Sequence, residues 1–124
     1  MIKQIVFVGL GGAVGSILRY LTALLVLKHW SSAFPLGIFT VNMLGCLLIG
    51  LLIGLLDRNQ AVNPDLRFLL ITGFCGGYTT FSTFSAENLT LFQAGNYGTA
   101  IAYIGASVVL GLFAVWLGLF LTKT

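Results

Sequence analysis

Charge is what this sequence has least of. Only 7% of its 124 residues are charged, 6 Lys+Arg against 3 Asp+Glu, whereas a soluble domain carries about 25%. So few ionisable groups cannot clothe a solvated globule, and 58% hydrophobic residues with a mean hydropathy of +1.04 exclude intrinsic disorder as well. The net charge of +3 comes from dispersed cations that form no basic stripe, so nucleic acid is not an expected partner. There is one His, and Cys46 and Cys75 sit inside apolar runs without a CxxC spacing, which leaves too few ligands for a zinc site or a redox pair. The two thiols read as small apolar packing groups. One peripheral His and 3 acids supply no convergent nucleophile, base and orienting group, so an enzyme is not expected either. The class that remains is an integral membrane protein.

Long apolar runs are what is present. Crossing ~30 Å of hydrocarbon takes about 20 apolar residues, and segments 4–27, 34–56, 67–92 and 98–121 all reach that length. They predict an all-α membrane protein of four transmembrane helices in a single transmembrane domain, residues 1–124, with no extramembrane domain. The N-terminal lysine and apolar run resemble a signal peptide, yet the run continues to Leu27 without an early A-x-A site, which favours a retained helix. Ser31, Ser32 and Pro35 separate the first two spans; Asn63-Pro64-Asp65 places a capping side chain, a helix-starting proline and an acidic first turn before the third. Gly95-Asn96-Tyr97-Gly98 is a short turn before the fourth. An even number of spans puts both termini on one side with Lys3, Arg58, Arg67 and Lys123, against Lys28 and, if it snorkels outward, Arg19. That excess favours cytoplasmic termini.

The chain has 16 glycines, and Gly11/Gly15, Gly50/Gly54 and Gly73/Gly77 are small-xxx-small pairs that let helix backbones approach closely. So much small-residue surface predicts packing beyond one chain, and hence a homo-oligomer. The stretch FVGLGGAVGS has Gly9 and Gly11 at the first two positions of a dinucleotide fingerprint. Its third position falls on Val14, and no Asp or Glu stands near residue 30 to bind a ribose, so these glycines read as packing residues.

The most informative stretch is GFCGGYTTFSTFS, residues 73–85, in the middle of the third span. Its glycines and hydroxyl residues suit a lipid-facing helix poorly, and a helix break survives in a membrane only inside protein or beside a water-filled cavity. Such breaks commonly mark ion sites, because freed carbonyls attract cations and half-helix N-termini attract anions. The alternative is a kink that serves packing alone. Phe81 and Phe84, three apart, share a helix face directly after the break. Their rings carry positive edges able to contact an anion without a full charge, although two Phe at this spacing also suit a packed core. Asn42 is a lone amide in an apolar span, readable as interhelical hydrogen-bond glue or as a donor in a pore. Arg19 reads either as a snorkelling cation or as a vestibule charge. Glu87 reads as structural or mouth-lining. Tyr103 and Ser107, one helical turn apart, either extend a hydroxyl track with Ser82, Thr83 and Ser85 or bond to their own helix carbonyls.

GFCGGYTTFSTFS, together with TVNMLGC at 40–46 and GGAVGSILRY at 11–20, resembles the Fluc (CrcB) fluoride channels over nearly the whole chain, four-span layout included. The resemblance implies an antiparallel, dual-topology homodimer in the lipid of a bacterial inner membrane. It further implies a structural sodium ion at the dimer centre and two fluoride pores alongside. Carried over by matching motif, it makes the backbone carbonyls of Gly77 and Thr80 the sodium ligands, Phe81 and Phe84 the aromatic box, Asn42 a pore-lining donor and Arg19 a vestibule cation. Tyr103 and Ser107 resemble the start of the family's hydroxyl track, and Gly111 stands where another small hydroxyl often continues it. The expected activity is passive, fluoride-selective export that lowers fluoride toxicity. Dehydration of the anion would be offset by Asn and hydroxyl donors and aromatic edges, with the structural cation supplying positive field. An antiparallel dimer needs both orientations in the membrane; dual insertion is expected because the charges are few and Asp57 and Asp65 accompany Arg58 and Arg67.

Two rivals stand beside this reading. A small four-span drug exporter needs an intramembrane carboxylate for proton exchange, and the only acid within a span is Glu87, near the end of the third. A non-transporting assembly subunit predicts no ion flux and gives no reason for Phe81 and Phe84 to follow a midplane break.

Overall fold

The computed structural model describes residues 1–59 and 63–123, and among them every regular element is helical. Helix α1 is Ile2–His29 and α2 is Leu36–Arg58. The third apolar stretch is interrupted. It opens with one turn, Asp65–Arg67, runs as π-wound helix over Phe68–Cys75 and closes with Gly76–Tyr78; this run is α3. Thr79 and Thr80 are extended, at φ −87°, ψ 157° and φ −149°, ψ 122°, and the chain resumes as α4, Phe81–Gln93. The last helix, α5, is Tyr97–Leu121.

Helices α1, α2 and α5 are long and apolar enough to cross a membrane. Their outer faces are apolar too. Ile101, Val109, Leu112, Phe113 and Trp116 on α5 are each more than half exposed, a surface suited to lipid rather than to water.

Local chemistry sets the ends. Asn63 Oδ1 accepts from the Asp65 N–H at 2.9 Å, and Lys3 Nζ pairs with Asp65 Oδ2 at 2.9 Å, tying the start of α3 to the start of α1. The α4–α5 turn closes with Gly95 at φ 81°, its N–H donating to Phe92 O at 3.1 Å while Asn96 N–H reaches Leu91 O at 2.8 Å. This paired closure needs a left-handed residue, which glycine supplies without steric cost.

Two helix pairs make up the core, α1 against α3 and α2 against α5, joined through α1 and α2. Backbone-to-backbone contact at glycine builds both. A Cβ at Gly73 would stand 2.8 Å from Val8 O, one at Gly77 2.6 Å from Gly12 O, and one at Gly118 2.6 Å from Leu47 O. Gly11 and Gly15 press on Phe74, Gly50 on Val115, and Gly54 on Thr122. All three small-xxx-small pairs are therefore consumed within one chain, so these glycines are no longer an argument for an oligomer. Val41, Ala100 and Tyr103 are fully buried at the centre.

Candidate functional site

The two extended residues at the break detach the end of α3 from the start of α4, and side chains take over the work of the helical ladder. Asn42 does most of it. Its Oδ1 accepts from Thr80 N–H at 2.9 Å and its Nδ2 donates to Thr80 O at 3.1 Å, so one amide from α2 pairs with both backbone groups of one residue. Arg19 Nε donates to Gly77 O at 3.1 Å. The Arg19 side chain thus turns toward the break. Thr80 caps α4, its Oγ1 accepting from Thr83 N–H at 3.2 Å, as expected of a hydroxyl residue at that position. Thr79 Oγ1 returns to Cys75 O at 2.9 Å.

A cavity of about 610 Å³ lies against the break, with Asn42, Thr80, Phe81, Phe84 and Ser107 in its wall among apolar and small residues that include Met43, Cys46 and Cys75. The wall contains no charged side chain among the described residues. Ser107 Oγ is buried without a hydrogen-bond partner. A buried hydroxyl left unpaired costs about 1–3 kcal/mol, a cost that a ligand or water reaching it would relieve, although the oxygen itself presents almost no surface to the cavity.

The rings differ in their surroundings. Phe81 is 78% exposed, whereas Phe84 packs edge-on against Tyr103 with centroids 4.8 Å apart. The two Phe rings are 5.8 Å apart and tilted by 39°. Tyr103 also meets Phe34 at 5.2 Å, and its hydroxyl donates to Glu87 Oε1 at 2.8 Å. Glu87 is thereby tied to the fourth apolar span. Of the expected hydroxyl track, Ser107 faces the cavity and Tyr103 lies one turn away in the aromatic cluster. Ser82 and Thr83 instead surround Thr80 Oγ1, each hydroxyl 3.3 Å from it, and Ser85 is exposed. Neither these three nor Gly111 lines the cavity.

Sequence reasoning missed several contributors. Cys46, a packing group by its sequence context, and Met43, which carries no sequence signal, flank Gly111, each 3.6 Å from where its Cβ would stand, and share the cavity wall with Asn42. Cys46 lies one helical turn from Asn42, a spacing that would have found it. Asn88 is buried, its Nδ2 donating to Phe84 O at 3.0 Å. Tyr78 OH donates to Thr22 Oγ1 at 3.1 Å, a further α3–α1 tie with no sequence signature.

Apolar helices with exposed apolar faces, and an open cavity at an interrupted helix with no charged side chain among the described residues of its wall, define a multi-pass membrane protein. The chain belongs to the CrcB family: the model described as "CrcB-like protein, Camphor Resistance (CrcB)" matches residues 6–119. It is 52% identical over 121 residues to a protein of Flavobacterium psychrophilum named fluoride-specific ion channel FluC, covering 98% of each chain. A protein of the same name from Azobacteroides pseudotrichonymphae is 48% identical over 123 residues, covering 99% of this chain and 98% of its own. A third, from Methylobacillus flagellatus, is 49% identical over 123 residues.

Proposed function

We propose that this protein is a fluoride-selective passive ion channel of the bacterial inner membrane, exporting fluoride from the cytoplasm and so lowering its toxicity. The observation that carries the reading is its end-to-end similarity to proteins named fluoride-specific ion channels. The site agrees chemically, because an amide, a free hydroxyl and ring edges offer a small anion neutral donors that compensate dehydration without trapping it.

In this reading α3 and α4 together form the third of four spans, and two chains assemble antiparallel as a dual-topology homodimer. Dual insertion is favoured by how few cations there are to orient the chain, Lys3, Arg58, Arg67 and Lys123 at one end against Lys28 at the other. The backbone carbonyls of Gly77 and Thr80 would hold sodium. They fit it, since both are hard oxygens at the break that accept one side-chain hydrogen bond each, from Arg19 and Asn42, leaving a second lone pair. Sodium bound there supplies a fixed positive charge.

The test is efflux from proteoliposomes followed with fluoride and chloride electrodes. Fluoride is expected to leave rapidly while chloride is retained; comparable chloride efflux refutes the reading.

A further inference from the structure

A second cavity, about 560 Å³, opens where α2 and α5 end together. Packing puts it there. Gly54 lies directly against Thr122, whose hydroxyl folds back to Gly118 O at 2.9 Å, and the missing side chain lets the helix ends converge. Arg58 and Lys123 consequently border one hollow, whose other wall is Trp116 and Phe120, stacked at 5.2 Å with 19° between ring planes. Asp57 also borders it, but its carboxylate is engaged by Arg67. Among the described residues no ion pair involves Arg58 or Lys123. Two cations with no ion pair among the described residues, beside half-exposed aromatic rings at the end of an apolar helix exterior, match the boundary between hydrocarbon and headgroups.

We propose that this cavity binds an anionic phospholipid of the surrounding membrane, with Arg58 and Lys123 taking the phosphodiester and Trp116 and Phe120 the glycerol and upper acyl chain. A membrane lipid is favoured over a soluble anion because the aromatic wall is continuous with exposed Leu121 and Phe113 on the outside of α5, which a free phosphate would leave unused. The site requires only that the helices lie in a bilayer, and is independent of what the break conducts.

Trp116 supplies the probe. Replacing the other tryptophan of the chain by Trp30→Phe makes it the single emitter, and its quenching is compared in phosphatidylcholine vesicles containing brominated phosphatidylglycerol or brominated phosphatidylcholine. About fivefold preference per cation gives roughly 25-fold for the anionic lipid at low salt, shrinking as salt rises. Arg58→Gln with Lys123→Gln should abolish the preference, Arg58→Lys should keep most of it, and Lys28→Gln at the opposite end of the molecule should leave it intact. Equal quenching by the two lipids overturns the proposal, as does a preference that survives the double substitution or is lost in Arg58→Lys. Absence of quenching by either lipid means that a protein surface covers the cavity, and also overturns it. If inorganic phosphate displaces the brominated lipid more effectively than chloride at equal ionic strength, the cavity is a free-phosphate site and the lipid assignment falls.

Discussion

Asn42→Ala is the substitution with the largest consequence computable from the break. It withdraws the acceptor of Thr80 N–H at 2.9 Å and the donor to Thr80 O at 3.1 Å in one step. A typical intramolecular hydrogen bond contributes about 1 kcal/mol net, and stranding a buried partner costs about 1–3 kcal/mol. Thr80 is half-buried and borders a cavity that water can enter, so the lower part of that range applies to each group. The sum is roughly 2–4 kcal/mol, a large share of a typical domain's stability and equivalent to roughly 10 °C in Tm at this chain length. Asn42→Asp is the sharper probe. It preserves the acceptor but, when ionised, sets a second oxygen against Thr80 O, so it should destabilise at least as much as alanine at neutral pH. Thermal unfolding in detergent, read by tryptophan fluorescence, is compared with fluoride efflux from the same preparations. If Asn42→Ala melts like the parent, the amide does not brace the break. If it also conducts normally, Asn42 has no place in the pore.

Phe81→Ile and Phe84→Ile should each slow fluoride efflux strongly, and Phe84→Ile should lower stability more, by about 1 kcal/mol, because it loses the edge contact with buried Tyr103 as well as Phe81, whereas Phe81 is 78% exposed and meets only Phe84; normal conduction by both returns the rings to the core. Thr80→Ser keeps the oxygen that caps α4 and should be nearly silent in melting and flux, whereas Thr80→Val loses the cap and should cost about 1 kcal/mol. A cysteine added after Thr124 should be labelled by an impermeant reagent from both faces of the membrane; labelling from one face only excludes dual insertion. Exchanging sodium for a large organic cation on both sides of the bilayer should abolish fluoride flux, and equal flux with the ion demonstrably absent removes it from the mechanism.

The helices were legible because the solvent requirement is blunt: apolar runs near 20 residues mark α1, α2 and α5. The interruption was legible in GFCGGYTTFSTFS for a different reason, since glycine and hydroxyl residues are where a membrane helix can afford to come apart. What the sequence could not convey was the bonding across it. Nothing in TVNMLGC says that one amide pairs with both backbone groups of a threonine 38 positions away, because that pairing depends on how α2 lies against α3. The π-winding of Phe68–Cys75 was equally hidden, as no residue pattern distinguishes it from α-helix. The glycine pairs misled in one respect. Spacing reports that a close neighbour exists, not whether it belongs to the same chain, and here Gly73 meets Gly11 and Val8 of its own chain.

In the proposed channel, the placement of charge accounts for how a chain with so few ionisable groups favours an anion without capturing it. Arg19 reaches the break and Glu87 stands two turns beyond it on α4, and neither lines the cavity. Arg19 is held on Gly77 O, and Glu87 receives the Tyr103 hydroxyl. A free guanidinium in the wall would bind fluoride too tightly to release it, and a free carboxylate would repel it, since charges interact far more strongly in low dielectric than in water. Tethering both at the margin leaves Asn42, Ser107, Phe81 and Phe84 in the cavity wall. In the proposed channel these supply several weak, neutral contacts in succession, which is the condition for an ion to enter a dehydrated path and still leave it.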